Sequence, residues 1–224
     1  MINERLQIVE ANIRAACKKT GRNREEITLI AVTKRIDESL INEAISLGID
    51  QIGENKVQEY LRKKSQLQPH AFHLIGHLQT NKVKQIVHDV AMIHSVDSIH
   101  LAEEISTRAK AIERVIPILL EVNTSAEESK YGIQPNDLLP MIPEIRRLEN
   151  VNLLGLMTLA AYEEDAEKVR PSFVMLRKMK EAIEMNYHCA LPHLSMGMSN
   201  DYPVAIEEGA TMIRIGTAIF GARS

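Results

Sequence analysis

The sequence predicts an α/β protein that folds as a single (β/α)8 TIM barrel with one extra helix at its N-terminus. Short apolar runs alternate with amphipathic segments of roughly 10 to 15 residues, the pattern of parallel strands joined by helices. The alternation gives eight strands within 224 residues, a length that suits one barrel domain. Each of the last two strands is followed by a turn of Gly with Ser or Thr, a place where barrels commonly bind phosphate.

Hydrophobic spacing justifies each element. Leu6, Val9 and Ile13 recur at helical intervals, so an amphipathic helix is predicted up to Gly21. The run 27–33 is almost continuously apolar, as expected for a strand that is covered on both faces. The remaining strands are predicted at 51–52, 70–75, 91–95, 115–122, 151–157, 191–194 and 211–213. The helices between strands are predicted at 37–47, 55–64, 80–88, 99–112, 135–148, 165–185 and 199–208.

An open, doubly wound parallel sheet is the main alternative to the barrel. It would show the same alternation of strands and helices, but it would usually lack two phosphate-type turns at its last two strands. We expect residues 1–224 to form one domain, because the length leaves no room for a second catalytic domain.

The composition is that of a globular cytoplasmic protein. Apolar residues make up 45% of the chain and charged residues 25%, a composition that excludes a largely disordered chain. The net charge of -3 gives no field that would attract nucleic acid or an anionic membrane. Cys17 and Cys189 form no CxxC pair, so neither a disulfide framework nor a zinc site is expected. No signal peptide is predicted, and no apolar run approaches the roughly 18 residues of a membrane span.

The stretch from 194 to 217 contains the first candidate site. In each of its two strand-to-helix turns a glycine, Gly197 or Gly216, lets the backbone approach a ligand, and a helix start leaves backbone N–H groups unpaired. The hydroxyl and cationic side chains of the two turns are Ser195, Ser199, Arg214 and Thr217. This combination predicts a cradle for a phosphate group. Alternatively, the turns are only two capped helix starts.

Lys34 is the second candidate. It ends the strand at 27–33, and its alternation parity with Ile30 and Val32 predicts a side chain that points into the barrel. Burial there would lower the pKa of its amine, and a neutral amine forms a Schiff base with an aldehyde. Alternatively, the side chain extends to solvent. A lysine that faces a phosphate cradle suits pyridoxal 5'-phosphate (PLP), whose aldehyde and phosphate lie on opposite sides of one ring.

Other polar clusters carry weaker predictions. His70, His73 and His77 do not repeat on one helix face, so a metal site is not favoured. The basic run 62–64 is interpreted as solvated helix surface rather than a nucleic-acid contact. Hydrolase chemistry has no support, because no Ser-His-Asp order or paired-carboxylate motif is present.

A series of motifs spans nearly the whole chain. They are Ala31-Val32-Thr33-Lys34, Gly53-Glu54-Asn55, 73–82 (HLIGHLQTNK), His94-Ser95-Val96-Asp97-Ser98, Val122-Asn123, Ser129-Lys130-Tyr131-Gly132, Gly155-Leu156-Met157, 194–199 (LSMGMS) and 214–221 (RIGTAIFG). In number, order and spacing they resemble the pyridoxal phosphate homeostasis protein family, single barrels similar to the N-terminal domain of alanine racemase. The resemblance implies a PLP-binding barrel of fold type III.

The resemblance also implies a role for each matching residue. Lys34 would bear the Schiff base to PLP, Arg214 would meet the pyridine nitrogen, and Asn55 would lie beside the ring. The phosphate would be held, with nearby backbone amides, by Ser195, Ser199, Gly216 and Thr217. The mouth of the site would also be lined by His77, Asn81, Met157 and Met198. Arg35 and Lys56 depart from the Thr and Tyr more often expected there, which leaves details of the rim open.

The family resemblance predicts a binding and delivery protein rather than an enzyme. It would hold PLP as a Schiff base and take part in intracellular PLP homeostasis and amino-acid balance without robust catalysis. Because a guanidinium only donates hydrogen bonds, Arg214 would favour an unprotonated pyridine nitrogen, which makes the ring a poor electron sink.

Two alternatives to simple PLP delivery stay open. A PLP-dependent amino-acid racemase or lyase is the enzyme alternative, although alanine racemase takes its second base from another domain and subunit. A regulatory partner of PLP-dependent apo-enzymes is a further possibility for the same barrel. A monomer is expected, because that second domain is missing.

Overall fold

The structure, a computed structural model, is a closed barrel of parallel strands. It describes residues 1–125, 131–161 and 163–222. Within these residues the strands follow one another around the barrel in sequence order, and the last pairs with the first. The predicted (β/α)8 barrel is confirmed, and the open sheet is wrong, because an open sheet leaves its edge strands unpaired.

Every predicted strand overlaps an observed one. The strands are β1 Thr28–Val32, β2 Gln51–Glu54, β3 Ala71–Leu74, β4 Val90–Val96, β5 Ile116–Glu121, β6 Val151–Met157, β7 His193–Ser195 and β8 Met212–Ile215. The α-helices are α1 Ile2–Thr20, α2 Glu38–Ser46, α3 Val57–Lys63, α4 Ile99–Lys110, α5 Pro135–Arg146, α6 Arg170–Tyr187, α7 Tyr202–Glu207 and α8 Thr217–Phe220. None of these described helices is both long and apolar enough to cross a membrane.

Helix α1 is the predicted N-terminal helix. It ends at Gly21, whose left-handed backbone (φ 67°) lets its N–H group bond back to the carbonyls of Cys17 and Lys18. The helix buries Val9 and Ile13 and contacts α7 and α8. It therefore supports, from outside the barrel, the two helices that follow the predicted phosphate turns.

Alternation along the strands separates two cores. Ile30 and Met157 belong to a small cluster inside the barrel, together with Met92, Leu119 and Met212. Their sequence neighbours, such as Ala31 and Leu156, belong to the large core between the sheet and the helices. This period of two assigns each strand residue to the inside or the outside of the barrel.

One predicted α-helix has a different form. The segment 80–88 contains a 3₁₀-helix over Thr80–Gln85. Its backbone N–H groups bond three residues back, for example from Ile86 to Val83. Val83 and Ile86 are both buried, and three residues per turn place them on one line along the helix.

Gly155 in β6 generates a prediction about stability. A Cβ atom at this position would lie 1.9 Å from the carbonyl oxygen of His193 in β7. Gly155→Ala should therefore push β6 and β7 apart and lower the free energy of unfolding by about 2–4 kcal/mol, measured by urea denaturation. The control is Asn152→Ala, an exposed position of the same strand, which should change stability by less than about 0.5 kcal/mol. Equal stabilities of the two variants would contradict this account.

Candidate functional site

The carboxyl ends of the strands surround a cavity of 390 Å³, within the roughly 300–1,000 Å³ usual for small-molecule sites. Seven of the eleven residues that were predicted to bind PLP or to line the mouth of its site line this cavity, namely Lys34, Asn55, Met198, Ser199, Arg214, Gly216 and Thr217. Among the described residues, the rest of its wall is formed by Val32, Ile75, Leu159, Glu163, Asn200 and Asp201. The structure thus brings together one amine, one guanidinium and both predicted phosphate turns.

Four of the predicted residues do not line this cavity. Asn81 is exposed on the 3₁₀-helix Thr80–Gln85. Ser195 is fully buried and Met157 lies in the cluster inside the barrel. His77 is partly exposed, its Nδ1 atom lies 3.2 Å from the Asp97 carboxylate, and its ring stacks on Tyr131. The motif residues Ser129 and Lys130 lie outside the described residues.

The two turns after β7 and β8 form one hydrogen-bonded unit. The Arg214 N–H group donates to the Gly197 carbonyl at 3.0 Å, and the Ala218 N–H group donates to Ser199 Oγ at 3.2 Å. Within the described part of the chain, the backbone N–H groups of Ser199 and Asn200 donate to no other group. The turn after β7 can therefore offer backbone donors to a ligand.

The first turn differs from the sequence prediction in its detail. The predicted helix from 199 begins only at Tyr202, because the Asp201 carboxylate accepts the Met198 N–H group at 2.6 Å and holds the intervening residues in a loop. Burial raises the pKa of Asp201, against the effect of that hydrogen bond and of Arg214.

Lys34 is held by a turn at the end of β1. It is half-buried and lines the cavity together with Val32, as the alternation of β1 predicts. The next residue, Arg35, has a left-handed backbone (φ 59°), and its N–H group donates to the Glu59 carboxylate. The Glu59 carboxylate of α3 therefore stabilises the strained backbone of Arg35, in the turn that carries Lys34.

A buried ion cluster supports the other side of this turn. Lys63 is 1% exposed, and its ammonium donates to the Thr33 carbonyl at 2.8 Å, to Glu54 Oε1 at 2.9 Å and to Glu59 Oε1 at 2.7 Å. Burial raises the pKa of Glu54, whereas its contact with Lys63 opposes that shift. The prediction that the run 62–64 is solvated surface is wrong for Lys63. Its spacing from Val57 and Tyr60 puts it on the buried face of α3.

Arg214 projects into the barrel from β8. It pairs with Ile30 across the β1–β8 ladder, and its Nη2 atom donates to the Thr158 carbonyl at 2.7 Å while Nη1 donates to Ser195 Oγ at 2.6 Å. Burial lowers the pKa of Arg214 to about 10, although Asp201 and Glu121 oppose the shift. The guanidinium therefore remains a fixed positive charge at neutral pH.

Glu121 is a buried carboxyl that the sequence analysis did not single out. It is 4% exposed and has the same inward parity in β5 as Leu119 of the inner cluster. Burial raises its pKa to about 7; the Asp97 charge adds to the shift and Arg214 opposes it. The signal for this residue was a charged side chain at an inward position of an otherwise apolar strand.

Comparison with known proteins finds relatives that match nearly the whole chain. Residues 5–224 match the family described as "Alanine racemase, N-terminal domain". The chain is similar to the pyridoxal phosphate homeostasis protein of Aquifex aeolicus, with 45% identity over 222 residues that cover 98% of this chain and 97% of that protein.

Solved structures show the same likeness. PipY of Synechococcus elongatus with PLP bound has a TM-score of 0.88 and 34% identity, over 99% of this chain and 100% of that chain. Alanine racemase of Clostridium difficile 630 has a TM-score of 0.77 at 16% identity, over 99% of this chain and 56% of that chain. The second likeness shows the fold alone.

The raised pKa of Glu121 generates a prediction about pH dependence. The folded state binds this proton more tightly than the unfolded state, so wild-type stability is full below the unfolded pKa and falls as pH rises through about 7. Glu121→Gln carries no charge at any pH. Its advantage over the wild type in free energy of unfolding should grow between pH 5 and pH 8 by on the order of 2–4 kcal/mol.

Urea denaturation of both proteins at the two pH values measures this advantage. The matched control is Glu164→Gln at an exposed position, for which the difference from the wild type should be the same at both pH values. An advantage of Glu121→Gln that does not change with pH would show that Glu121 has no raised pKa in the folded protein.

Proposed function

This chain belongs to the pyridoxal phosphate homeostasis protein family, and we propose that it binds PLP in the cavity at the carboxyl ends of its strands. One observation carries the proposal: Lys34, Arg214 and the two joined turns all line a single cavity. An amine, a guanidinium and a set of backbone and hydroxyl donors are the groups that an anionic aldehyde needs.

Each group has a separate task in this proposal. When bound, PLP supplies an aldehyde that condenses with an amine and a ring that can accept electrons. Lys34 would form the Schiff base, and Ser199 and Thr217 would hold the phosphate together with the donors of the two turns. Arg214 would donate a hydrogen bond to the ring nitrogen. Asn55, which also lines the cavity, would lie beside the ring.

The same residues support binding rather than catalysis. Arg214 can only donate hydrogen bonds, so the ring nitrogen that it meets would stay unprotonated and the ring would stabilise a carbanion poorly. Among the described residues that line the cavity, the titratable groups besides Lys34 and Arg214 are Glu163 and Asp201. Asp201 accepts the Met198 N–H group, which makes it a poor second base for racemisation.

The proposed role is to hold PLP and release it to the proteins that need it. The similar protein of Aquifex aeolicus is named a pyridoxal phosphate homeostasis protein and not a racemase, which supports this role over an enzymatic one. We therefore propose PLP-dependent apo-enzymes as partners.

Cys17 and Cys189 are free thiols, which supports the predicted cytoplasmic location.

The proposed Schiff base can be tested by borohydride trapping. Reduction of the PLP-loaded protein should place a stable adduct on the peptide that contains Lys34, identified by mass spectrometry. Lys34→Ala should remove that adduct and the visible absorbance of the Schiff base. The control Lys84→Ala, at an exposed position of the 3₁₀-helix, should retain both. An adduct on a different lysine of the wild type would sink the assignment of Lys34.

The proposed absence of catalysis can be tested by exchange at Cα. The PLP-loaded wild type, incubated with single L-amino acids in deuterated water, should incorporate little deuterium. Arg214→Glu should increase incorporation about tenfold or more, because a carboxylate favours a protonated ring nitrogen. A tenfold increase corresponds to an activation free energy that is lower by roughly 1.4 kcal/mol. Fast exchange by the wild type would favour the racemase alternative. An unchanged rate in the variant, with its fold verified by circular dichroism, would count against the role of Arg214.

A further inference from the structure

A chain of hydrogen bonds crosses the barrel interior from Arg214 to the opposite mouth. Arg214 Nη1 lies 2.6 Å from Ser195 Oγ, and Ser195 Oγ lies 2.9 Å from His94 Nδ1. His94 Nε2 lies 2.9 Å from His73 Nδ1, and His73 Nε2 lies 2.8 Å from Gln51 Oε1. All five side chains share the inward parity of their strands, so five different strands contribute to one connected path.

The two ends of this path fix its direction. A guanidinium only donates, so Ser195 Oγ accepts from Arg214. At the other end, Gln51 Nε2 donates to Asp50 Oδ1 at 3.0 Å, which turns the amide oxygen of Gln51 toward His73. That oxygen only accepts, so His73 Nε2 carries a proton and donates.

The remaining proton positions follow from these two ends. With its proton on Nε2, a neutral His73 accepts at Nδ1, so His94 must donate from its own Nε2 atom. His94 then accepts at Nδ1, and the Ser195 hydroxyl donates to it. Every donor in the path meets an acceptor when both histidines are neutral and protonated on Nε2.

Burial keeps both histidines neutral. His94 and Ser195 are fully buried and His73 is 4% exposed. Burial lowers the pKa of His73 to about 4, with His193 adding to the shift and Asp50 opposing it. Burial also lowers the pKa of His94 far below its usual value, and His73, Arg214 and His193 add to that shift. In the described part of the chain, these are the charged and titratable groups that shift the pKa values of the pair.

We propose that Ser195, His94 and His73 are positioning residues that hold the Arg214 guanidinium in the orientation in which it meets the ring nitrogen of PLP. This inference rests on the proposed function of the cavity. It gives Ser195 a role that differs from the phosphate contact predicted from the sequence, since its hydroxyl is used by Arg214 and His94 and does not line the cavity.

The physical reason is preorganisation. An arginine side chain has several rotatable bonds, and ordering it only on ligand binding would weaken the affinity. Here Ser195 Oγ and the Thr158 carbonyl hold two guanidinium nitrogens before any ligand arrives. Because Ser195 must donate to His94, its lone pairs stay directed to Arg214. Loss of either histidine would free the hydroxyl to rotate.

The first experiment examines the protein without PLP. In ¹⁵N-histidine-labelled apoprotein, nitrogen chemical shifts should show His73 and His94 as neutral Nε2–H tautomers from pH 6 to pH 8. Ser195→Ala should shift the Nδ1 signal of His94, because that atom loses its donor. A proton on Nδ1 of either histidine, or a charged ring at neutral pH, would overturn the proposed direction of the path.

The second experiment separates positioning from mere stability. PLP and its carbocyclic analogue, in which C–H replaces the ring nitrogen, are titrated into the wild type, Ser195→Ala, His94→Leu and His94→Gln. Ser195→Ala and His94→Leu should weaken PLP binding about tenfold or more, as expected for a hydrogen bond to a charged group. The analogue should bind all proteins within about twofold, because it makes no bond to Arg214. His94→Gln, which keeps a donor and an acceptor, should recover part of the PLP affinity.

Each outcome has a distinct meaning. Equal losses for PLP and the analogue would show a structural role only and would overturn the inference, as would unchanged PLP binding in Ser195→Ala. Failure of the wild type to bind PLP would instead sink the proposed function, while the tautomer measurement would still report on the path. Ser39→Ala, which removes an exposed hydroxyl, should bind both ligands like the wild type.

Discussion

The pairing of β8 with β1 is the interaction on which the site depends. It closes the barrel, and its register sets Ile30 opposite Arg214. Counted from that level, Lys34 lies four residues later, just after β1, and Gly216 lies two residues later, just after β8, so both reach the same mouth. Without this pairing the amine would have no fixed relation to the phosphate turns. Residues near the two ends of a long chain form one site because a closed barrel makes its first and last strands neighbours.

The inside of this barrel is more polar than the usual layers of branched apolar side chains. Apolar residues such as Ile30 and Leu119 fill part of it, while Arg214, His94 and Ser195 fill another part and bond to one another. A buried polar group without a partner is costly, so such a network is stable only when its members satisfy each other. That requirement explains why the protons of the whole path have one consistent arrangement.

The fold and most of the cavity wall could be predicted from the sequence because they follow short-range rules. Strand alternation indicated the inward direction of Lys34, and the glycine and hydroxyl residues of the last two turns indicated the cradle. The ion cluster of Lys63 was missed because a basic run usually means a solvated helix face, and only the packing of α3 on the turn after β1 reverses that expectation. Glu121 was missed because a single carboxyl in a strand shows no partner in the sequence.

The sequence by itself determined the order of the elements, the parity of each strand residue and the family to which the chain belongs. These properties depend on the types and the spacing of residues along the chain, so they can be predicted without the structure. Only the tertiary structure decided that Ser195, the last residue of β7, supports Arg214, while Ser199 in the turn that follows lines the cavity. The reason is that burial and hydrogen-bond partners come from other strands, and His94 meets Ser195 across 101 positions of the chain.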